Sequence, residues 1–236
     1  MFEARNIAFS YGRKQVLRDV SFVVSPGETV AVVGGNGAGK TTLLKILSTL
    51  AVPEGGMVLL DGKDALLRSL DYRRHLGYLP ERPALYGEMK VRDYLDYRAQ
   101  LKGELPKRIR RRIGEAMELC QVSDLMRTRI DRLSLGQRKR VALADALLLR
   151  PRVLLLDDFL AGLDHPMRTA AGAILSDVAA FSSVIVAGHE IDDLVRWTTR
   201  FLLLREGVIA ASMPTAGVDP AALTANLAAQ LAKGAR

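Results

Sequence analysis

Cysteine is almost absent from this sequence. Cys120 stands alone, so no internal disulfide is available, and the composition fits a reducing compartment. Long apolar runs are missing too. The longest candidate, Val141 to Leu149, is interrupted by Asp145, and a membrane span needs about 18 uninterrupted apolar residues. The opening Met1-Phe2-Glu3-Ala4-Arg5 lacks the apolar core of a secretory signal. Repeats and low-complexity tracts are also absent. Together these absences exclude a disulfide-stapled secreted module and an integral membrane protein. They lead to the expectation of a protein in the cytosol or on the cytosolic face of a membrane.

What is present is an ordinary globular composition with a basic balance. The 236 residues carry 34 Lys and Arg against 26 Asp and Glu, a net charge of +8. That sign suits nucleic acid, phosphate ligands or an anionic membrane surface and does not choose among them. The length is enough for one α/β domain with a well-buried core, or two small ones.

Strand and helix patterns alternate along the chain. Strands are predicted over Phe2–Phe9, Val16–Val24, Thr29–Val33 and Val58–Leu60, with turns at Ser25-Pro26-Gly27 and Asp61-Gly62. A helix is expected over Thr41–Leu50. From Val91 to Leu149 the pattern is helical, with breaks at Gly103, Pro106, Ser123-Asp124 and Ser134 to Gly136. Then strands at Val153–Leu156, Val184–Ala187 and Phe201–Leu204 alternate with helices at Pro166–Ala180 and Ile191–Trp197. Strands separated by helices imply a mostly parallel sheet, and a helical block set inside such a domain suggests a second lobe. The tail predicts a further helix, with Asp219 as N-cap, Pro220 in its first turn, Gly234 as its end, and a stripe of Leu223, Leu227 and Leu231. That stripe fits packing on its own domain better than contact with a partner chain.

Gly34-Gly35-Asn36-Gly37-Ala38-Gly39-Lys40-Thr41, followed by Thr42, fits G-x-x-x-x-G-K-[ST] between a buried strand and a helix. Glycines let the backbone wrap a phosphate with its N–H groups inward, and the helix N-terminus adds partial positive charge. Lys40 is expected on the β- and γ-phosphates and Thr41 on Mg²⁺. The run Val153-Leu154-Leu155-Leu156-Asp157-Asp158 places Asp157 at the C-terminal edge of the sheet, where a Mg²⁺-holding acid belongs, with Asp158 beside it as the candidate general base for water. ATP and Mg²⁺ are therefore the expected cofactors.

These motifs alone say only that the chain is a P-loop nucleotidase. Leu133-Ser134-Leu135-Gly136-Gln137, twenty residues before Asp157 in front of the helix predicted for Arg138–Leu149, resembles the signature motif of the ABC ATPases, with Leu135 in place of the more usual glycine. Ser134, Gly136 and Gln137 are then implied to close on the γ-phosphate held by a second, head-to-tail subunit. Further landmarks resemble that family in order. Tyr11 stands where an aromatic stacks on adenine, Ala161-Gly162-Leu163-Asp164 resembles a loop that crosses the dimer interface, and His189 resembles the histidine that senses the γ-phosphate. Leu76 to Glu81, continuing through Leu85-Tyr86-Gly87-Glu88-Met89, is similar to exporters whose ATPase and permease are separate chains. There Glu81 is implied to reach toward Mg²⁺ and the attacking water. Leu85, Tyr86 and Met89 are candidate permease contacts, or else apolar cover for the hinge between lobes.

The resemblance implies an α/β P-loop fold with a mostly parallel RecA-like sheet, an N-terminal antiparallel β subdomain and an inserted helical lobe. It divides the chain into a catalytic lobe of about residues 1–80 and 151–211, a helical lobe of about 81–150 and a tail helix of about 219–233. It further implies an ATP-hydrolysing subunit that powers movement of a substrate, in the export direction, through a separate membrane permease. Such a subunit works as a homodimer or heterodimer on the cytoplasmic face of the membrane. One departure stands out. The family usually carries Glu where this chain has Asp158, one methylene shorter, and a misplacement of about 1 Å can cost on the order of 100-fold in rate. Slow hydrolysis is expected on that account, and an ATP-gated clamp, or the degenerate half of a heterodimer, is the alternative. Phe159-Leu160 stands where the family commonly has Pro-Thr. The basic run Lys107 to Arg112 reads as a solvated helix face ahead of a membrane-facing one, with nucleic acid last. A soluble ABC ATPase acting on nucleic acid or ribosomes is a rival reading, although the chain has neither a long coiled-coil insertion nor a second cassette. A small-molecule kinase would leave the Leu133–Gln137 motif unexplained.

Overall fold

A computed structural model describes residues 1–232 of the chain. Its centre is a six-stranded sheet in the order β10-β9-β3-β8-β7-β6. The strands are β3 (Thr29–Val33), β6 (Leu76–Leu79), β7 (Val153–Asp157), β8 (Ser183–Ala187), β9 (Arg200–Arg205) and β10 (Val208–Pro214). All neighbouring pairs are parallel except β9 with β10. The adjacent strands β3, β8 and β7 are buried along their whole length, as their apolar runs require when both faces of a parallel sheet are covered.

The pleat sorts their side chains into two cores. Val30, Val32, Val153, Leu155, Ile185 and Leu202 face one side, where they meet α1 (Lys40–Leu47) and a four-stranded sheet. That sheet runs β2-β1-β4-β5 and is antiparallel, with β1 (Phe2–Tyr11), β2 (Lys14–Val24), β4 (Gly55–Leu60) and the short β5 (Lys63–Asp64). Ala31, Val33, Leu154, Leu156, Val184, Val186 and Leu203 face the other side. There they meet a helical layer that contains α3 (Val91–Leu101), α4 (Pro106–Leu119), α5 (Leu135–Leu147) and α6 (His165–Ala179). Each fully buried aliphatic side chain in these cores contributes about 1.5–3 kcal/mol.

Several boundaries differ from expectation. The first helix stops at Leu47, because Thr49 takes a left-handed φ of 61° and turns the chain. The long helical stretch does break where expected, at Gly103 and Pro106 between α3 and α4 and at Ser123-Asp124, in the first of two 3₁₀ turns (Ser123–Leu125 and Ile130–Arg132) that precede α5. Its break before α5 falls at Leu133-Ser134, and Gly136 lies inside the first turn of α5. The predicted helix from Ile191 to Trp197 shortens to α7 (Ile191–Leu194). The helix α2 (Ser69–Arg74), β5, β6 and the edge strand β10 were not foreseen as elements. The tail forms α8 (Pro220–Ala232), capped by Asp219 through the Ala222 amide at 3.0 Å. Leu223 and Leu227 are buried in the core and Leu231 packs against it, so the stripe serves its own fold. The predicted end at Gly234 lies outside the described residues. Among the described residues no helix is long and apolar enough to cross a membrane.

Candidate nucleotide site

The loop between β3 and α1 is shaped by close backbone approaches. A Cβ on Gly34 would lie 2.3 Å from the Leu204 carbonyl oxygen, and Gly39, at φ 105°, would strike Leu17 at 2.9 Å. Side chains are thus excluded where the loop turns into the helix. Gly39 is the N-cap of α1 and offers no capping side chain, and no acid stands in the first turn. The first N–H groups of α1 therefore have no internal partner and make an anion-receptive end.

This end opens into a cleft of about 450 Å³ lined by Tyr11, Asn36 to Thr42, Glu81, Asp157, Asp158 and His189. The sequence-predicted residues of the phosphate loop, the candidate Mg²⁺ ligands, the candidate base and the candidate histidine thus share one space. Gly34 is buried beneath the loop and Gly35 borders the neighbouring cleft on its outer side. Lys14, Val16 and Gly188 also line the nucleotide cleft and were not singled out in the sequence. Tyr11 is 52% exposed and packs edge-on against Phe9, with centroids 4.9 Å apart. An aromatic ring this exposed at the cleft wall is available for stacking.

Lys40 donates from Nζ to the carbonyls of Gly34 and Gly35, at 2.7 and 3.1 Å. Burial lowers its pKa, against the opposing pull of Asp158 and Asp157. The Thr41 hydroxyl donates to Asp157 Oδ1 at 3.2 Å, while Asp157 Oδ2 is buried with no hydrogen-bond partner. Burial raises the Asp157 pKa; the Thr41 hydrogen bond opposes that shift, and the nearby Glu81 and Asp158 add to it. An orphaned carboxylate oxygen beside a threonine hydroxyl is a donor set suited to a hard divalent cation, so Thr41 and Asp157 fit Mg²⁺. Glu81 is half-exposed, with its nearest cation, Arg82, at 3.8 Å.

Asp158 adopts a left-handed φ of 48°. Its Oδ1 lies 3.2 Å from His189 Nδ1, without hydrogen-bond geometry, and is otherwise buried and unpaired. Glu190, not anticipated from the sequence, comes close as well, with Oε1 3.7 Å from His189 Nε2. Burial raises the Asp158 pKa, Glu190 and Glu81 add to the shift, and His189 and Lys139 oppose it. The His189 side chain is 63% exposed and faces the cleft mouth.

Ser134, Gly136 and Gln137 do not line this cleft. Ser134 and Gln137 form a reciprocal capping box at the start of α5: Ser134 Oγ accepts from the Gln137 amide at 3.3 Å, and Gln137 Oε1 accepts from the Ser134 amide at 2.9 Å. The Gln137 side chain is thus occupied by its own helix. Gly136 has a packing reason to be glycine, since a Cβ there would lie 2.1 Å from Met167 Sδ. Asp164 caps α6 through the Met167 amide at 2.9 Å. Leu85 and Met89 pack on the core, while Tyr86 remains exposed and meets Tyr94 and Tyr97 edge-on. In the basic run, Arg111 and Arg112 pair with Glu115 and Glu104, and no ion pair engages Lys107, Arg108 or Arg110 among the described residues.

The sequence matches the family model described as ABC transporter over residues 17–161. The chain belongs to the ABC transporter family. Curated relatives agree with that membership. The uncharacterized ABC transporter ATP-binding protein YxlF of Bacillus subtilis (strain 168) is 31% identical over 210 residues, 89% of this chain and 70% of that protein. The sulfate/thiosulfate import ATP-binding protein CysA of Methylococcus capsulatus is 36% identical over 214 residues, 88% of this chain and 61% of its own. A solved structure described as the ATP binding subunit of an ABC transporter shares the fold with a TM-score of 0.84 at 26% identity, covering 97% of this chain and 99% of that one. The fold expected from the ABC resemblance is the one observed.

Proposed function

We propose that this chain is the ATP-binding and ATP-hydrolysing subunit of an ABC transporter. The observation that carries the reading is the convergence on one cleft of Lys40, the Thr41–Asp157 pair and the Asp158–His189 pair. The first turn of α1 and Lys40 hold the phosphates. Thr41, Asp157 and Glu81 would hold Mg²⁺, whose charge, when bound, offsets that of the phosphate oxygens. Tyr11 stacks on the base. Asp158 accepts a proton from the attacking water and His189 steadies the γ-phosphate. The corner at Ser134 and Gly136 meets the nucleotide of a second subunit placed head to tail, either an identical copy or a sister ATPase. The partner that receives the motion is a membrane permease, so the chain sits peripherally at the cytoplasmic face. Nucleic acid is not part of this reading.

The direction of transport is left open. The Leu76–Met89 stretch resembles exporters, whereas the Methylococcus relative is named for import, so export is not supported by the relatives.

The reading is tested by Mg²⁺-dependent ATP turnover of the purified chain beside Asp158→Glu. Measurable wild-type turnover with little gain from Glu makes Asp158 a working base. Negligible wild-type turnover restored by Glu favours the clamp or unequal-pair alternative, which the shorter Asp158 side chain recommends. No binding of ATP by either protein would refute the site.

A further inference from the structure

Lys139 is a buried cation that the proposed reaction does not use. It lies in α5, within two turns of the capping box, and is 7% exposed. Its ammonium has three hydrogens, and three backbone carbonyls of the loop after β7 surround it. They belong to Asp158 at 3.3 Å, Phe159 at 2.9 Å, and Ala161. No carboxylate lies within ion-pair distance of it among the described residues. A buried ammonium without an ion-pair partner is expensive, and a methionine would fill a similar volume without that cost. The donors themselves are what this position supplies.

The loop they hold contains the candidate base. Asp158 sits in the left-handed region, which L-residues disfavour unless their surroundings impose it. Its own amide donates to the Ala187 carbonyl at 2.9 Å, and its carbonyl accepts from the Ala161 amide at 3.2 Å. Aspartate has only two side-chain torsions, so its backbone conformation decides most of where the carboxylate lies. Here Oδ1 ends beside His189, with no hydrogen bond to hold it there. The anchor must therefore act on the backbone, and Lys139 is the side chain that does so.

We infer that Lys139 is a positioning residue: through three carbonyls its ammonium fixes the Asp158–Ala161 loop and so aims the Asp158 carboxylate into the nucleotide cleft. The inference rests on the reading of Asp158 as the base. It also gives α5 two duties, since the same helix begins at the corner offered to a partner's phosphate.

The test compares the wild-type chain with Lys139→Met and Lys139→Gln by ATP turnover, binding of a fluorescent ATP analogue, and thermal melting. In Lys139→Met, kcat should fall by about 10- to 100-fold, while KM and analogue affinity stay within about 2-fold of wild type. Lys139→Gln keeps an amide donor and should lose less. A kcat within about 2-fold of wild type in Lys139→Met overturns the inference. So does loss of kcat and affinity together with melting below the assay temperature in both variants, which is the mark of a purely structural lysine. A wild-type chain that binds ATP without turnover also overturns it, because nothing is then being aimed. A wild-type chain that binds no ATP refutes the nucleotide site itself, a separate failure.

Discussion

Two lysines divide this molecule. Lys40, at the start of α1, and Lys139, in α5, both donate to backbone carbonyls, and burial lowers the pKa of both. Lys40 lines an open cleft and touches two carbonyls of a glycine loop. Lys139 is enclosed and has three carbonyls, one for each hydrogen. The first can exchange its carbonyls for phosphate oxygens. The second has nothing to exchange with and serves the loop it touches. A basic residue near a phosphate loop is thus read from what its donors would have to give up. Most residues that line the cleft lie at or just beyond the C-terminal ends of β3, β7 and β8, and the lysine that holds the loop after β7 comes from α5.

The largest expected effect tests the cleft side of that comparison. Lys40→Ala removes the only long cation of the phosphate loop and should lower ATP turnover by at least about 100-fold, or abolish nucleotide binding, with the fold intact by circular dichroism. Normal turnover by that variant would break the site assignment.

The next tests the supporting side. Asp145, near the end of α5, receives Lys102 at 2.8 Å, Arg98 at 3.1 Å and the Tyr94 hydroxyl at 3.3 Å, all from α3 and its C-cap. Asp145→Ala would strand two cations. We expect a loss of roughly 2–4 kcal/mol, below the fully buried range because Arg98 and Lys102 keep some solvent. That corresponds to a fall in Tm of roughly 5–15 °C by calorimetry. A shift under about 2 °C would mean that the cluster is ornamental and that α3 is held by its apolar face alone.

A smaller effect separates two explanations of one glycine. Gly136 was expected for the sake of a partner's phosphate, yet Met167 already crowds it. Gly136→Ala should cost about 1–3 kcal/mol through overpacking. Adding Met167→Ala should restore stability. If turnover then returns as well, packing is the whole reason for the glycine. If stability returns and turnover does not, the corner has a role toward a second subunit.

These cases show what was legible in the sequence. The phosphate loop was, because its demands are contiguous: glycines where the backbone approaches Leu17 and Leu204, then Lys40 and Thr41. The buried strands were too, since a parallel sheet covered on both faces needs unbroken apolar runs such as Val153–Leu156. The edge strand β10 was missed because Ala210, Ala211 and Ser212 are small, with Ala210 and Ser212 exposed and Ala211 half-buried, and no apolar pattern marks them. The α3–α5 region was read as helical with its breaks in place, because the residues announce them locally: Gly103 takes a left-handed φ of 77° after α3, and Pro106 opens α4. The Lys139 contact with the loop after β7 joins positions about twenty residues apart in sequence, and nothing local announces it. The left-handed Asp158 was equally hidden. Its shortness was visible, and the backbone turn that accompanies it was not.

The smallest effect returns to the cleft, at Asp157. Burial holds its pKa above the unfolded value of 3.8. A carboxyl raised in this way fits the fold best when protonated. Its penalty is absent below the unfolded value, grows as pH rises from the unfolded value to the folded one, and is complete above it. Ionising this group in the nucleotide-free protein is therefore unfavourable, with Oδ2 buried and unpaired. Asp157→Asn should raise Tm at pH 7 by about 2–4 °C, equivalent to about 1 kcal/mol, and this advantage should vanish at pH 3 to 4. Mg²⁺ with ATP should then stabilise the wild-type chain more than the variant, because only the wild type offers that oxygen to the cation. A variant that melts below wild type at pH 7 would show that Asp157 is a structural strand-end acid satisfied by Thr41, and the case for a cation at this corner would fall with it.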